Sequence, residues 1–210
     1  MQNLQRNMII SAVLLGMFAV SGTFFVAYTE QQTRPLIAEQ IRIATLKHLN
    51  RLVPDDQHDN DLLTDVIRVT DPLLGSDDAM TVYRARKNNQ PIAAMFTVVA
   101  PDGYSGKIRI LLGIKYTGEL SGVHIIAHKE TPGLGDAIDG EKSDWNQQFI
   151  GKSLQQPHEK NWRVKKDGGE FDQLTGATIS PRAVVKAVHK GLLFFKANRD
   201  KLFETKTNTP

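Results

Sequence analysis

The chain has 210 residues, a net charge of +3 and no cysteine. Without cysteine there can be no disulfide, iron–sulfur cluster or thiolate zinc site, so any redox cofactor must be organic or held by His and carboxylate ligands. Both charge signs are spread evenly, and no nucleic-acid-binding motif accompanies the short basic runs. We therefore do not expect nucleic acid to be a partner.

The segment 8–28 carries no charged residue. A helix of this length spans about 31 Å, close to the hydrocarbon thickness of a bilayer. A cleaved signal peptide is the alternative, with a cleavage site near 19–21, but the apolar run continues well past that site. We predict an uncleaved membrane helix at 8–28, which follows a short N-terminus at 1–7. The cytoplasmic location of this N-terminus is implied only by the resemblance described below. The flanking charges do not determine the orientation.

A membrane-proximal region is predicted at 29–78, with an amphipathic helix at 36–52 and a polar hinge at 54–61. Next come β-like runs separated by turn signals, which predict an antiparallel meander. These runs are 80–86, 92–100, 107–116 and 120–128, and 162–166 is a candidate for a further strand.

The pattern is helical again from Pro181 to about Phe203, with Ser180 as the predicted N-cap. Its apolar stripe is expected to be ordinary core packing. The predicted fold class is α+β: an antiparallel sheet with packed helices forms one domain, 79–204, on a single N-terminal transmembrane helix. A polar tail, 205–210, is expected to be flexible.

The most informative segment, Asp172-Gln173-Leu174-Thr175-Gly176-Ala177-Thr178, stands directly before this helix. A hydroxyl on a turn of small residues beside a helix N-terminus suits a phosphate, because the free amides and the helix dipole favour an anion. Taken by itself, a glycine turn followed by hydroxyl caps is the commoner explanation of such a segment.

A second segment, Glu130-Thr131-Pro132-Gly133-Leu134-Gly135, follows the run 120–128 and precedes Trp145 and Phe149. Alone, it is a loop in which proline fixes φ and the glycines allow sharp turns. It lacks the third glycine of a dinucleotide-binding loop and follows a hairpin rather than opening a βαβ unit, so no Rossmann site is predicted.

Metal binding and hydrolytic chemistry are not predicted. The spacing of four nearby carboxylates does not fit a calcium loop, and His124 and His128 share one side of a strand without an evident third ligand. The four carboxylates are Asp136, Asp139, Glu141 and Asp144. No Ser-His-Asp arrangement stands out, so we predict no catalytic residue in this chain.

Together, the two segments are specific. Asp-x-x-Thr-Gly-Ala-Thr resembles the flavinylation signature of proteins that carry FMN esterified to a threonine. With the upstream glycine loop, the membrane helix and the length, nearly the whole chain resembles the G subunits of Rnf (Rsx) electron-transport complexes. The C subunit of the Na⁺-translocating NADH:quinone reductase shares this FMN-binding domain, but is usually longer. The other alternative is a membrane-anchored flavin-binding or sensory module.

The resemblance implies that a separate flavin transferase attaches FMN through its phosphate to Thr178. Recognition by the transferase would involve the turn that leads to this residue, namely Asp172, Thr175, Gly176, Ala177 and Thr178. The implied cofactor-binding residues are Glu130, Thr131, Gly133, Leu134, Gly135, Trp145, Thr175, Gly176 and Ala177. Lys142 is a weaker candidate for offsetting the charge of the cofactor.

The resemblance also implies a function. The chain would be an electron carrier in the bacterial inner membrane, with its main domain in the periplasm and the other proteins of the complex as partners. Such complexes couple ferredoxin and NAD redox chemistry to Na⁺ or H⁺ movement, and in some bacteria keep a redox-sensing regulator reduced. One span cannot form an ion path by itself, so ion movement would belong to the partners.

Overall fold

The computed structural model describes residues 2–204, so the predicted tail lies outside the described residues. The chain divides into two compact units, Met1–Thr45 and Leu46–Pro210. Helix α1 has the bounds Gln2–Leu52. The predicted segments 8–28 and 36–52 are therefore parts of one helix.

The first part of α1 is long and apolar enough to cross a membrane, which makes it a candidate single span. Its large apolar side chains are exposed, as expected for a helix whose surroundings are lipid. Within it, the hydroxyl of Thr23 donates to the carbonyl oxygen of Ala19 at 2.8 Å. This polar group is thus satisfied inside the helix, where a bilayer offers no water.

We expect the full chain to stay in the membrane fraction after an alkaline wash, because the apolar segment is long enough to span. A truncated chain beginning at residue 46 should be soluble and folded, since the core lies within the second unit. Cell fractionation with immunoblotting tests both expectations. Recovery of a soluble mature chain that begins near Gly22 would instead show that the segment is a cleaved signal peptide.

The second unit is built on a five-stranded antiparallel sheet in which strand order follows chain order. The strands are β1 (Val66–Val69), β2 (Met80–Lys87), β3 (Gln90–Ala100), β4 (Ile108–Lys115) and β5 (Leu120–Ala127). The predicted meander is confirmed, with strand bounds within two residues. β1 was not predicted, because it has only four residues and no clear alternation.

Each face of the sheet is covered by a helix. Helix α2, Ile179–Phe203, packs Phe194 and Phe195 into the main core with Phe96 of β3. The approach is close: a Cβ at Gly191 would lie 2.4 Å from Leu112 Cδ1. The end of α1 covers the other face, where Leu49, Leu52 and Val53 join Ala85, Ala93, Met95 and Leu111 in a second cluster. The predicted apolar stripe of the C-terminal helix is confirmed as core packing.

The strand expected at 162–166 is wrong. Short 3-10 helices occupy Glu159–Asn161 and Lys165–Asp167, and only an isolated bridge joins Val164 to Phe171. The alternating apolar residues, Trp162 and Val164, are instead buried in the main core. Alternation in the sequence thus reflected side-chain burial rather than a strand ladder.

Two histidine rings lie against each other, tilted by 31°, between the end of α1 and β5. The ring centroids of His48 and His124 lie 4.6 Å apart, and His124 is buried. Burial lowers the pKa of His48 below its ordinary value of 6.5, helped by Arg51 and Lys47. Burial also lowers the pKa of His124, with further contributions from His48 and Arg51 that outweigh the opposing effects of Asp139 and Glu141. The folded domain therefore favours both rings in the neutral form.

The stability of the domain should consequently fall as the pH drops below about 6.5. Below this pH the unfolded chain binds more protons than the folded chain does, because the histidine pKa values are lower in the folded state. The free energy of unfolding therefore decreases with decreasing pH. Thermal unfolding between pH 7.5 and pH 5 should show a shallower pH dependence for the His48→Phe/His124→Phe variant. Some dependence should remain, because burial also lowers the pKa of His189. Equal pH dependences in the wild type and the variant would contradict this account.

Candidate functional site

The two sequence segments meet in a single cleft of about 240 Å³ at the start of α2. Its lining consists of Tyr104, Glu130, Thr131, Leu134, Gly135, Gly176, Ala177, Thr178, Ile179 and Ser180. A larger depression of about 450 Å³ lies between the β4–β5 turn and the second half of α2, but none of the predicted site residues lines it. We therefore take the smaller cleft as the candidate site.

The antiparallel register explains why distant segments converge. Ala100 pairs with Ile108, and Arg109 pairs with Ala127, so the β3–β4 turn and the loop after β5 lie at the same end of the sheet. The turn before α2 closes through a hydrogen bond from the Ala177 amide to the Leu174 carbonyl at 3.1 Å. Gly176 has a φ of +77°, which favours glycine, and a Cβ there would lie 3.3 Å from Leu134 Cδ2. The two segments thus touch.

Glu130 ties the walls of the cleft together. Its side chain is buried, with 3% of its surface exposed. Oε2 accepts hydrogen bonds from the Ser180 hydroxyl and, at 3.3 Å, from the Tyr104 amide, while Oε1 accepts one from the Ser105 amide at 3.0 Å. One carboxylate therefore joins the β3–β4 turn, the glycine loop and the first turn of α2.

This network corrects the predicted start of the last helix. Helix α2 begins at Ile179, with Thr178 at the N-cap position, so Ser180 and Pro181 lie inside its first turn. Ser180 does not cap the helix, because its hydroxyl is directed to the buried carboxylate. Pro181 remains compatible with the helix, since amides of the first turn have no intrahelical partner.

Thr178 is half-buried at the edge of the cleft. Its side chain makes no capping hydrogen bond, although its carbonyl oxygen accepts from the Arg182 amide at 3.2 Å. Thr178 therefore directly precedes the free amides that begin a 25-residue helix, and its hydroxyl is not used in capping them. In contrast, Thr175 is exposed and does not line the cleft.

Other predicted site residues lie apart from the cleft. Trp145 is buried beneath the turn: its indole Nε1 donates to the Asp172 carbonyl at 2.6 Å, and its ring packs edge-on against Phe149. The Asp172 carboxylate forms an exposed ion pair with Lys165. Lys142 and Gly133 are exposed and are not among the lining residues.

Sequence reasoning missed two residues of the rim. Tyr104 is 67% exposed although it lines the cleft, and Ile179 is partly exposed on the other side, as is the predicted Leu134. An aromatic residue inside the polar turn Asp102-Gly103-Tyr104-Ser105-Gly106 was the available signal. These three side chains form an apolar rim, which is the usual setting for a flat organic ligand.

Comparison with known proteins places this cleft in a family. Residues 103–193, which contain the whole cleft, match the model of the FMN-binding domain. Residues 1–52 match the model of the RnfG N-terminal region. The G subunit of the ion-translocating oxidoreductase complex from Pseudomonas aeruginosa (strain UCBPP-PA14) is 48% identical over 199 residues, covering 94% of this chain and 93% of the relative. The chain belongs to the family of these G subunits.

Further relatives support this assignment. The proteins of the same description from Shewanella baltica (strain OS223) and Aliivibrio fischeri (strain ATCC 700601 / ES114) are each 44% identical. The alignments cover 98% and 91% of this chain, and 97% and 92% of the two relatives. The resemblance noted from the two sequence segments is therefore confirmed along nearly the whole chain.

The residues present fit FMN. At Gly135 an added Cβ would lie 2.7 Å from Ser180 Oγ and 3.1 Å from Glu130 Oε2, so the glycine loop packs directly against these two polar side chains of the cleft. The apolar rim and the few fixed polar groups match the usual composition of cofactor sites. The cleft is smaller than the roughly 300–1,000 Å³ of most ligand pockets, so it suits part of the cofactor rather than all of it.

No metal site is formed by the described residues, since no group of three or more His, Asp or Glu side chains converges in that part of the chain. His128 illustrates this: its Nδ1 accepts a hydrogen bond from the Glu130 amide at 3.1 Å, while His124 packs against His48. The cofactor that the site supports is the flavin.

Proposed function

We propose that this chain is a membrane-anchored electron-carrier subunit of an Rnf-type complex, with FMN esterified to Thr178. The observation that carries the proposal is the convergence of both segments on one cleft, with Thr178 on its lining and at the N-cap position of α2. The subunit itself carries no catalytic residue in this proposal. Its redox chemistry, in one- or two-electron steps, comes from the flavin when it is bound.

The ring and the phosphate of FMN would contact different parts of the site. Tyr104, Leu134 and Ile179 offer apolar surface, and none of the described residues that line the cleft is a Lys, Arg or His. This lining suits the uncharged ring and not the phosphate. The phosphate would lie at Thr178, where the first amides of α2 and the helix dipole favour an anion.

Covalent attachment compensates for the size of the cleft. A site that encloses only part of the cofactor buries little apolar surface, and so retains it weakly. An ester at Thr178 would keep FMN on the protein outside the cytoplasm, where lost cofactor is not readily replaced. The exposure of Asp172, Thr175 and Gly176 leaves the turn open to a flavin transferase.

The partners follow from the family. The relatives are subunits of ion-translocating oxidoreductase complexes, and we propose that this chain likewise assembles with other membrane subunits. In this arrangement the domain is periplasmic and relays electrons, while the complex couples ferredoxin and NAD redox chemistry to Na⁺ or H⁺ movement or keeps a redox-sensing regulator reduced. Ion translocation belongs to the partners, because this chain has one candidate span among its described residues.

Co-expression with a flavin transferase tests the proposal. A denatured gel band of the protein should fluoresce, since only a covalent flavin survives denaturation. Purification from native membranes should then recover redox subunits with it. A dark band despite active transferase would refute covalent attachment, and a fluorescent protein that recovers no redox partner would favour a sensory module instead.

A further inference from the structure

We infer that the buried carboxylate of Glu130 lowers the reduction potential of the flavin held at Thr178. The inference rests on the proposed function, and concerns what this chain does to its cofactor rather than whether the cofactor is attached. Glu130 and Thr178 line the same small cleft, so a ring placed there lies close to the carboxylate. Three features of the site support the effect.

The first feature is the set of hydrogen bonds around Glu130. Two of its three partners are the backbone amides of Tyr104 and Ser105, which can only donate, and the third is the Ser180 hydroxyl, which donates as well. Donors alone stabilise the ionised form of a carboxylate. The two amides thus give Glu130 the surroundings that suit a carboxylate charge.

The second feature is the lack of a compensating charge. Glu130 forms no ion pair with any described residue, and no described residue lining the cleft is a cation. The cations on the first turns of α2 are already engaged: Arg182 binds Asp167 at 2.6 Å and 2.8 Å, and Lys186 binds Asp102 at 2.7 Å. No described cation therefore neutralises a charge on Glu130, and that charge would affect a flavin ring bound in the cleft.

The third feature is burial. Charges interact more strongly in a partly dry cleft than in water, because the effective dielectric constant is lower. Two electrons and one proton convert the neutral oxidised flavin into a reduced ring with one negative charge. Glu130 opposes that new charge, so reduction becomes less favourable and the potential falls. The electrons come from a redox centre of a partner subunit, or from dithionite in the test.

A purely structural role for Glu130 makes a different prediction, and two substitutions separate the two roles. Glu130→Gln removes the charge but keeps the size and one acceptor oxygen. Ser180→Ala keeps the Glu130 side chain but removes one of the hydrogen bonds that its carboxylate accepts. If the charge acts on the flavin, the potential should shift upward in Glu130→Gln and stay equal or shift downward in Ser180→Ala. A structural role would shift both variants in the same direction.

The test is a reductive titration of the full-length, FMN-loaded protein in detergent, followed by flavin absorbance. Glu119→Gln serves as the control, because this exposed carboxylate lies at the opposite end of the sheet in the β4–β5 turn. Thr131→Lys provides a second variant: it places a cation on the cleft lining and should also raise the potential, even where Glu130→Gln does not fold. Fluorescence of the denatured band confirms loading before each titration.

An upward shift in Glu130→Gln with an equal or lower potential in Ser180→Ala, or an upward shift in Thr131→Lys with Glu119→Gln unchanged, would support the inference. Upward shifts in both Glu130→Gln and Ser180→Ala would show a structural role and overturn it. An unchanged or lower potential in loaded Glu130→Gln, or in loaded Thr131→Lys, would overturn it. Failure of the wild type to acquire FMN would overturn the proposed function instead, so the two failures are distinguishable.

Discussion

Thr178→Ala should abolish covalent FMN, whereas Thr175→Ala should at most reduce it. Both hydroxyls belong to the same short segment, but the structure separates their surroundings. Thr178 is half-buried on the lining of the cleft, next to the amides that begin α2, while Thr175 is exposed and outside the lining. A phosphate at Thr178 would gain about 0.3–1 kcal/mol from the helix terminus, and one at Thr175 would gain less because it lies farther away.

Peptide mass spectrometry after co-expression with a flavin transferase measures this outcome. The FMN adduct should map to the peptide that contains Thr178 and should vanish in Thr178→Ala. Thermal unfolding should change little, since the Thr178 side chain makes no capping hydrogen bond. An adduct on Thr175, or one that persists in Thr178→Ala, would show that the attachment site is assigned wrongly.

Much of the fold could be predicted from the sequence because local signals agreed. Strands β2 to β5 each have turn residues on both sides, and in the β2–β3 turn Asn88 and Asn89 adopt the positive φ values that a tight hairpin requires. Where only one signal was present, prediction failed. β1 is too short to show alternation, and the alternation at Trp162 and Val164 marks burial rather than pairing.

The site was predictable only in part, because its assembly depends on the register of the sheet. Nothing near Tyr104 in the sequence shows that the β3–β4 turn lies beside the glycine loop, since that follows from the pairing of β3, β4 and β5. Nor does the local sequence show that the Ser180 hydroxyl is hydrogen-bonded to the carboxylate of Glu130, 50 positions away. The sequence pattern favoured Ser180 as a helix cap, but in the structure its hydroxyl makes a buried long-range hydrogen bond instead.

The two glycines of the loop differ in a way that the sequence does not reveal, and Gly135→Ala should be the more damaging of the two alanine substitutions. A Cβ at Gly135 would lie 2.7 Å from Ser180 Oγ, 3.1 Å from Glu130 Oε2 and 3.2 Å from Glu130 Cβ. Glu130 cannot easily move away, since three donors hold its carboxylate. We expect a loss of about 1–3 kcal/mol in the free energy of unfolding, as for other overpacked sites.

Gly133→Ala is the matched control in the same loop. Gly133 has a φ of +76°, but a Cβ there would meet nothing within 4 Å. Its substitution should cost about 1–2 kcal/mol through backbone strain alone and leave the walls of the cleft in place. The flavin absorption spectrum of the loaded protein should therefore change in Gly135→Ala and stay like the wild type in Gly133→Ala, while urea unfolding measures the stability of both. Because the two variants add the same methyl group, equal spectral changes in both would show that closeness to Glu130 and Ser180 does not shape the flavin site.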